Sequence, residues 1–223
     1  MNNEIRESRD DVLVDYVRRR VVTLQQQYAR GGTQPTAFAA GTMAALRRAD
    51  PRLPGDDPAL WEFVLGEIPE GLTKPGSQTP TPYESAAHAA LCLYAVHQQS
   101  RTEPMHVLGR RFGQGVRDLA RQRAGEREPL SPGVVKKFQV IGTAVTPARR
   151  LGSLRSLLTL MRSASPGIGL DYGLLARDLR RLSDPALAPG VRLAWGRDLR
   201  RLVSPGDGAD ATPDTPANPT DTH

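Results

Sequence analysis

The sequence predicts an all-α protein, a compact bundle of about nine helices followed by a disordered acidic tail. Hydrophobic residues make up 39% of the chain and aromatic residues only 5%. The core must therefore consist mainly of Leu, Val and Ala, and Leu and Ala are strong helix formers. Pro repeatedly follows Ser, Thr or Asp, a pairing typical of a helix N-cap and first position. No segment alternates apolar and polar residues between turn signals, so no strand is predicted.

The first half of the chain contains four predicted helices, because apolar residues recur there with helical spacing. The first ends at Gly31-Gly32, the second covers about 35–49, and the third is short. The fourth begins at the capping box Thr81-Pro82-Tyr83-Glu84, in which the Thr81 hydroxyl and the Glu84 carboxylate each bond the other residue's backbone amide. The stripes of the first, third and fourth are Leu13, Val17, Val21, Leu24 and Tyr28; Leu60, Trp61, Val64 and Leu65; and Tyr83, Ala87, Leu91 and Tyr94.

Five further helices are predicted in the second half, where Ser131-Pro132, Thr146-Pro147 and Asp171 supply start signals. Their apolar stripes are Leu108, Phe112, Val116 and Leu119, on a helix over about 106–122; Val134, Phe138, Ile141 and Val145; Leu151, Leu154, Leu158 and Met161; Leu174, Leu175 and Leu179; and Val191, Trp195, Leu199 and Leu202. These helices form either one bundle over 1–203 or two sub-bundles over 1–100 and 101–203.

Two segments are predicted to lack regular structure. Residues 69–81 are rich in Pro, Gly and Thr and should form an exposed loop. Residues 204–223 are poor in apolar side chains, rich in Pro and acidic, so a disordered tail is expected. With four acids and no Lys or Arg, the tail could compete weakly with nucleic acid for the basic surface, but a solubilising end is the preferred interpretation.

Charge is distributed unevenly along the chain. The net charge is +6, yet residues 1–100 hold 10 basic and 12 acidic side chains while residues 101–162 hold 13 and 4. A one-signed block of this size favours a polyanionic partner, nucleic acid in particular, over a merely solvated surface. Three predicted helices offer cations beside an apolar stripe, which suggests a groove for a phosphate backbone. The cations are Arg110, Arg117 and Arg121; Lys136 and Lys137; and Arg149, Arg150 and Arg155.

The sequence contains no recognisable catalytic site. Cys92 is the only cysteine, so neither an intrachain disulfide nor a Cys-based zinc site is possible, which fits a reducing cytoplasm. His88, His97 and His106 are nine residues apart and therefore alternate between helix faces, unlike metal ligands. No cofactor or metal is expected, and no apolar run could span a membrane or serve as a signal peptide. A scattered active site using His97 is the weakest alternative.

Five stretches occur in an order that resembles one family. They are YESAAHAALCLYAVHQQS, MHVLGRRFG, RRLGSLRSLLTLMR, GLDYGLLARDL and VRLAWGRDL. Their order resembles the CasB family, the small subunit of the type I-E CRISPR surveillance complex Cascade, and the resemblance covers about 12–202. It implies a helical, non-catalytic antiviral-defence subunit that pairs with a second copy of itself among other Cascade subunits. Its basic surface would run beside the guide RNA and target DNA and steady the displaced strand of the R-loop.

The resemblance also implies roles for individual residues. Arg47 and Arg48 match a basic pair at the end of the family's second helix, and Arg110 matches a cation after a Gly. Lys136 and Lys137 stand where the family usually has Arg-Arg, so bidentate phosphate contact there is in doubt. Arg155 matches a basic residue before a Leu pair. Arg197 matches as well, although pairing with Asp198 would explain it equally.

An alternative function remains open at this point. The bundle could be a protein–protein adaptor whose arginines meet an acidic partner protein. If the protein binds nucleic acid, the scarcity of aromatic residues predicts contacts that are independent of base sequence. Binding to random single-stranded DNA therefore separates the two functions.

Overall fold

Helices account for nearly all the regular structure of the chain. The computed structural model describes residues 8–28, 35–126 and 128–201. Within these ranges nine α-helices form, with short 3-10 turns at Pro58–Leu60 and Glu70–Leu72. The helices are α1 Arg9–Tyr28, α2 Ala37–Arg48, α3 Trp61–Val64, α4 Pro82–Gln98, α5 Phe112–Gln122, α6 Pro132–Thr143, α7 Pro147–Arg162, α8 Tyr172–Leu182 and α9 Ala188–Arg200. The all-α prediction is confirmed.

Several helices begin where the sequence signals predict. Thr81 and Glu84 form the full capping box of α4, with 3.1 Å from the Glu84 amide to Thr81 Oγ1 and 2.6 Å from the Thr81 amide to Glu84 Oε2. Thr146 accepts the Arg149 amide at the start of α7, and Asp171 accepts two amides at the start of α8. Each cap satisfies donors that the first helical turn leaves without partners.

The fourth helix is the centre of the molecule. Every residue of α4 from Ala86 to Gln98 is buried, because α1, α2, α7 and α8 all pack around it. α5 packs against α6, α7 and α9. One contiguous apolar cluster contains residues from both halves of the chain. The division into sub-bundles at residue 100 stays a prediction.

The fifth helix begins six residues later than its apolar spacing predicts. The backbone of Met105, Val107 and Arg110 instead bonds that of Leu170 and Asp171, which holds residues 105–110 away from α5. Gly109 there adopts a φ of +74°, a left-handed conformation that Gly tolerates best. Leu108 consequently lies 65% exposed and not in the core, so its predicted place in the stripe is wrong.

Two other stripe residues are also exposed. Val145 is 91% exposed because α6 ends at Thr143 and Val145 lies in the turn before α7. Trp61 is 51% exposed, and its indole nitrogen donates to the Gly55 carbonyl at 2.6 Å. The predicted end of the first helix at Gly31-Gly32, the contribution of Leu202 and the tail over 204–223 lie outside the described residues. No helix in the described part of the chain is long and apolar enough to cross a bilayer.

Candidate nucleic-acid interface

α7 presents two arginines on one outer face. They border the buried face of the helix, which contains Leu151, Leu154 and Leu158, among others. Arg155 and Arg162 are seven residues apart, so they lie on the same side of the helix about 10 Å from each other along its axis. Arg155 is exposed and Arg162 half-buried. The periodicity that buries the leucines therefore also aligns these two cations.

The end of α2 adds two more arginines beside Arg155. The Arg155 Nη2 atom lies 3.5 Å from the Arg47 carbonyl oxygen, which places the last turn of α2 against the middle of α7. Arg48 and Arg155 line a shared cavity of about 470 Å³, together with Gly152 and Arg52. Arg52 is held by Asp50, with 2.5 Å between Arg52 Nη2 and Asp50 Oδ2. Arg48 and Arg155 have no such partner within the described residues.

The far end of α7 meets the chain that follows α5. Arg162 Nη1 donates to the Val96 carbonyl at 3.3 Å and to Gln99 Oε1 at 2.9 Å, so it also satisfies the end of α4. Arg123 Nη2 lies 3.3 Å from Ser163 Oγ, one residue beyond the end of α7. We call the set Arg47, Arg48, Arg155, Arg162 and Arg123 the α7 strip.

The arginines of the α7 strip have few acids around them. Asp50 is the one acid that lines the cavity shared by Arg48 and Arg155, and it is paired with Arg52. Residues 129–170 contain Lys136, Lys137 and four arginines, but no Asp or Glu. In the described part of the chain, none of the ion pairs involves an arginine of the strip. The cations that are paired lie elsewhere: Arg18, Arg20, Arg52, Arg101, Arg110, Arg111, Arg117, Arg177, Arg180 and Arg181. The arginines of the strip therefore form no ion pair with a carboxylate, and Arg52 offsets the charge of the neighbouring Asp50.

Three arginines singled out in the sequence are engaged within the protein. Arg110 Nη2 pairs with Asp118 Oδ2 at 2.6 Å. Arg117 is buried and lies 3.4 Å from the carbonyl oxygens of Asp198 and Arg201, where it holds the end of α9. The predicted grouping of Arg110, Arg117 and Arg121 opposite the core is wrong for Arg117, because α9 packs on the side of α5 that was predicted to face solvent.

Arg150 is the third of these arginines. It is 6% exposed and donates to the Ala144 carbonyl at 2.9 Å, which fixes the turn between α6 and α7. Burial lowers the pKa of Arg150, and the charge of Arg192 adds to this effect. A guanidinium in this position braces the fold and offers little surface to a ligand.

The remaining predicted cations are exposed but separate from one another. Arg121 precedes the strip residue Arg123 by two positions, and the Ser131 amide donates to the Ala120 carbonyl at 2.8 Å, so the start of α6 lies close by. Lys136 and Lys137 follow on the first turns of α6. Arg149 lies about a third of a turn from Arg155 around α7. Arg197 is exposed on α9, and Asp198 pairs with Arg111 instead, at 3.1 Å.

Two strip residues were missed in the sequence. The seven-residue spacing from Arg155 would have identified Arg162 as its neighbour on the same helix face. Arg123 carries no local signal, because its place depends on how α5 packs against the end of α7. Helical spacing thus identifies residues that are neighbours on the same helix. It does not identify residues on different elements that tertiary packing brings together.

The histidines occupy core positions. His97 is fully buried, and its Nδ1 lies 2.7 Å from the Tyr172 hydroxyl. Burial lowers the pKa of His97 to about 3, and the charges of Arg162 and Arg101 contribute. His88 contacts the Asp50 carbonyl at 3.0 Å, and His106 lies 3.2 Å from the Leu170 carbonyl oxygen. No group of three or more metal-binding side chains occurs in the ranges that the structure describes.

Comparison with known proteins identifies the family. The sequence profile of CRISPR-associated protein Cse2 matches residues 42–199, more than half of the chain. The chain belongs to the Cse2 family. The crystal structure of CasB from Thermobifida fusca aligns with a TM-score of 0.66 and 32% sequence identity, covering 85% of this chain and 98% of that one. A comparison with curated proteins gave no match.

Family membership confirms the resemblance drawn from the five ordered stretches. Cse2 proteins are the CasB small subunits of type I-E Cascade, so this chain is a structural subunit of a CRISPR Cascade complex. The matched region includes every residue of the α7 strip.

Proposed function

We propose that this Cse2 protein binds nucleic-acid backbone through the α7 strip and thereby stabilises the displaced strand of the R-loop formed by Cascade. The observation that carries the proposal is the row of arginines without acidic partners along α7 and the end of α2. Each phosphate that such a cation contacts releases condensed counterions. Exchange of the DNA duplex for a guide–target duplex is nearly balanced, so modest binding to the freed strand favours the open state.

Contacts along this strip are independent of base sequence. Phe38 and Trp61 are the large exposed aromatic side chains in the described residues, and they lie on α2's first turn and on α3, outside the strip. Aromatic faces are the usual platforms for stacked bases. Without them, guanidinium groups recognise phosphate oxygens, which are the same at every nucleotide.

The subunit performs no catalysis in this proposal. Its partners are the guide RNA, the target DNA, other Cascade subunits and a second copy of itself, in the cytoplasm. The buried histidines support a structural role, since their side chains do not reach the surface where a substrate could contact them.

Fluorescence anisotropy of a labelled random-sequence single strand tests the proposal directly. We expect binding at low salt that weakens steeply at moderate salt. Arg48→Glu combined with Arg155→Glu should reduce affinity by at least tenfold, because two attractive contacts become repulsive. The matched control Arg19→Glu with Lys74→Glu changes the net charge equally at exposed positions outside the strip and should weaken binding far less.

Two results would contradict the proposal. Equal losses in both double variants would show that net charge, and not the strip, governs binding. No binding at low salt, together with salt-sensitive binding to an acidic Cascade subunit, would favour the adaptor function.

A further inference from the structure

A second cluster of arginines surrounds a cavity away from the α7 strip. The cavity has a volume of about 310 Å³ and lies between the start of α5, the α8 helix and the start of α9. Arg111, Arg177 and Arg181 line it, with Asp10 and Asp178. The rest of its wall is formed by the apolar and small residues Ala186, Leu187, Gly190, Val191 and Ala194. We call it the arginine cavity.

Two of the arginines are oriented through their Nε atoms. Arg181 Nε donates to Asp10 Oδ2 at 2.6 Å, and Arg111 Nε lies 3.1 Å from Asp198 Oδ2. A carboxylate that holds Nε leaves the two terminal nitrogens of a guanidinium available to another acceptor. Within the described residues, the terminal nitrogens of Arg111 and Arg181 make no hydrogen bond, and both side chains are 39% exposed.

The third arginine is poorly satisfied inside the protein. Arg177 Nε is buried and has no hydrogen-bond partner among the described residues. The nearest carboxylate oxygen, Asp178 Oδ1, is 3.9 Å away. Asp178 Oδ2 accepts the Trp195 indole at 2.7 Å, and burial raises the pKa of Asp178. A buried donor without an acceptor is costly unless a ligand supplies one.

The start of α9 contributes further positive potential to the same cavity. Leu187 occupies the N-cap position and provides no side-chain cap. The first-turn amides of Ala188 and Gly190 donate to the carbonyls of Asp184 and Leu187, at 2.9 and 3.1 Å, so this helix end contributes its dipole and no free amide. Leu187 and Gly190 both line the cavity. The positive end of a helix dipole favours an anion there, and small side chains leave room for one.

We propose that the arginine cavity binds one phosphate group. Three guanidinium groups surround it, that of Arg111 just before α5 and those of Arg177 and Arg181 on α8. Asp10 hydrogen-bonds Arg181, and Asp198 forms an ion pair with Arg111. The planar fork of Arg matches the tetrahedral oxygens of a phosphate. This site is independent of the proposed function, because it shares no residue with the α7 strip.

Thermal unfolding with pyrophosphate as the probe tests the site. We expect pyrophosphate to raise the Tm of the full chain relative to sodium chloride at the same ionic strength, since a ligand that binds only the folded state stabilises it. Arg177→Gln should abolish this rise, and the exposed control Arg19→Gln should retain it. A rise that equals that in chloride, or one that persists in Arg177→Gln, would overturn the proposal.

A second arm identifies the source of the phosphate. Saturating random-sequence single-stranded DNA is added before pyrophosphate. Loss of the pyrophosphate response would assign the cavity to a nucleic-acid phosphate, and an unchanged response would assign it to a free phosphate compound. Repeating the titration with Arg48→Glu and Arg155→Glu separates the two proposals, because the pyrophosphate response should survive in that variant even if the strip binds no strand.

Discussion

Phe138 is the residue through which α6 joins the core. It is 5% exposed, and its ring centroid lies 5.7 Å from that of Phe112 and 5.6 Å from that of Trp195. Phe138→Ala should lower the free energy of unfolding by about 3–5 kcal/mol, because it leaves a cavity beside the two remaining rings. Urea denaturation measures the change. Leu193→Ala, at a residue 55% exposed, should change stability by about 0.5 kcal/mol or less, and similar losses in both variants would contradict the packing.

The buried histidines make stability depend on pH. Burial lowers the pKa values of His88, His97 and His106, that of His97 to about 3. Below the ordinary value of about 6.5 the unfolded chain takes up protons that the folded chain does not. Stability should therefore fall as pH drops from about 6.5 towards 3, by up to about 1.4 kcal/mol per pH unit for His97, and His88 and His106 act in the same direction.

The urea midpoint measured between pH 7 and pH 5 checks this dependence. His97→Gln should show a shallower slope than the unmodified protein, because the substituted side chain does not titrate. An identical slope would mean that His97 binds protons equally in the folded and the unfolded chain, which would contradict a lowered pKa.

At the scale of a residue, helical periodicity predicts well which apolar side chains are buried. It predicts poorly which groups a charged side chain contacts. The spacing of Val134, Phe138 and Ile141 predicts a buried face, and all three are buried. The same reasoning predicted that Arg117 faces solvent, whereas carbonyls at the end of α9 hold it inside. A helix face is defined by its own sequence, but the neighbour that covers it is chosen by tertiary packing.

Asp171 ties two elements together. Its carboxylate accepts the amides of Gly173 and Leu174 at the start of α8, the Gly109 amide and the Arg18 guanidinium. Burial alone raises the pKa of Asp171, but the hydrogen bonds outweigh it and hold the pKa below the ordinary value. Asp171→Ala should cost more than the roughly 1 kcal/mol of a lost cap, because the loop over 105–110 loses its anchor as well.

Hydrogen exchange and denaturation together test this anchor. The Gly109 and Val107 amides should lose protection in Asp171→Ala, and the stability difference from the unmodified protein should shrink as pH falls through the native pKa of Asp171. Asp57→Ala, which removes a cap with one bond on a 3-10 turn, is the matched control. Equal protection of the Gly109 amide in Asp171→Ala and Asp57→Ala would show that Asp171 does not anchor this loop.

Helix starts that depend on adjacent residues were predictable, and those that depend on distant residues were not. The capping box of α4 lies within four residues and was read from them. The start of α5 depends on pairing of Met105 and Val107 with Leu170, more than sixty residues away. The same distinction applies to the α7 strip, in which Arg155 was predicted from local sequence and Arg123 was not.

The lysine pair of α6 tests how far the interface extends over the whole molecule. Lys136 and Lys137 are exposed, and α6 starts beside the end of α5, near Arg121. Lys136→Glu with Lys137→Glu should leave the circular dichroism spectrum intact and weaken binding of a single strand. Unchanged affinity with unchanged folding would confine the interface to the strip along α7.

Charge is partitioned across the whole molecule, and this partition makes the salt dependence of binding informative. Carboxylates are paired with arginines mainly around α1, α5 and α8, while the described cations of α7 and the end of α2 have no carboxylate partner. For a single strand, the slope of log K against log salt changes by about 0.7 for each phosphate contact. Arg48→Gln with Arg155→Gln should therefore reduce the slope by about 1.4, measured by anisotropy at several salt concentrations. Arg19→Gln with Lys74→Gln removes the same net charge without removing a strip contact, so its slope should match that of the unmodified protein. If both double variants lowered the slope equally, the overall positive charge of the protein would govern binding. A defined row of phosphate contacts along α7 would then be excluded.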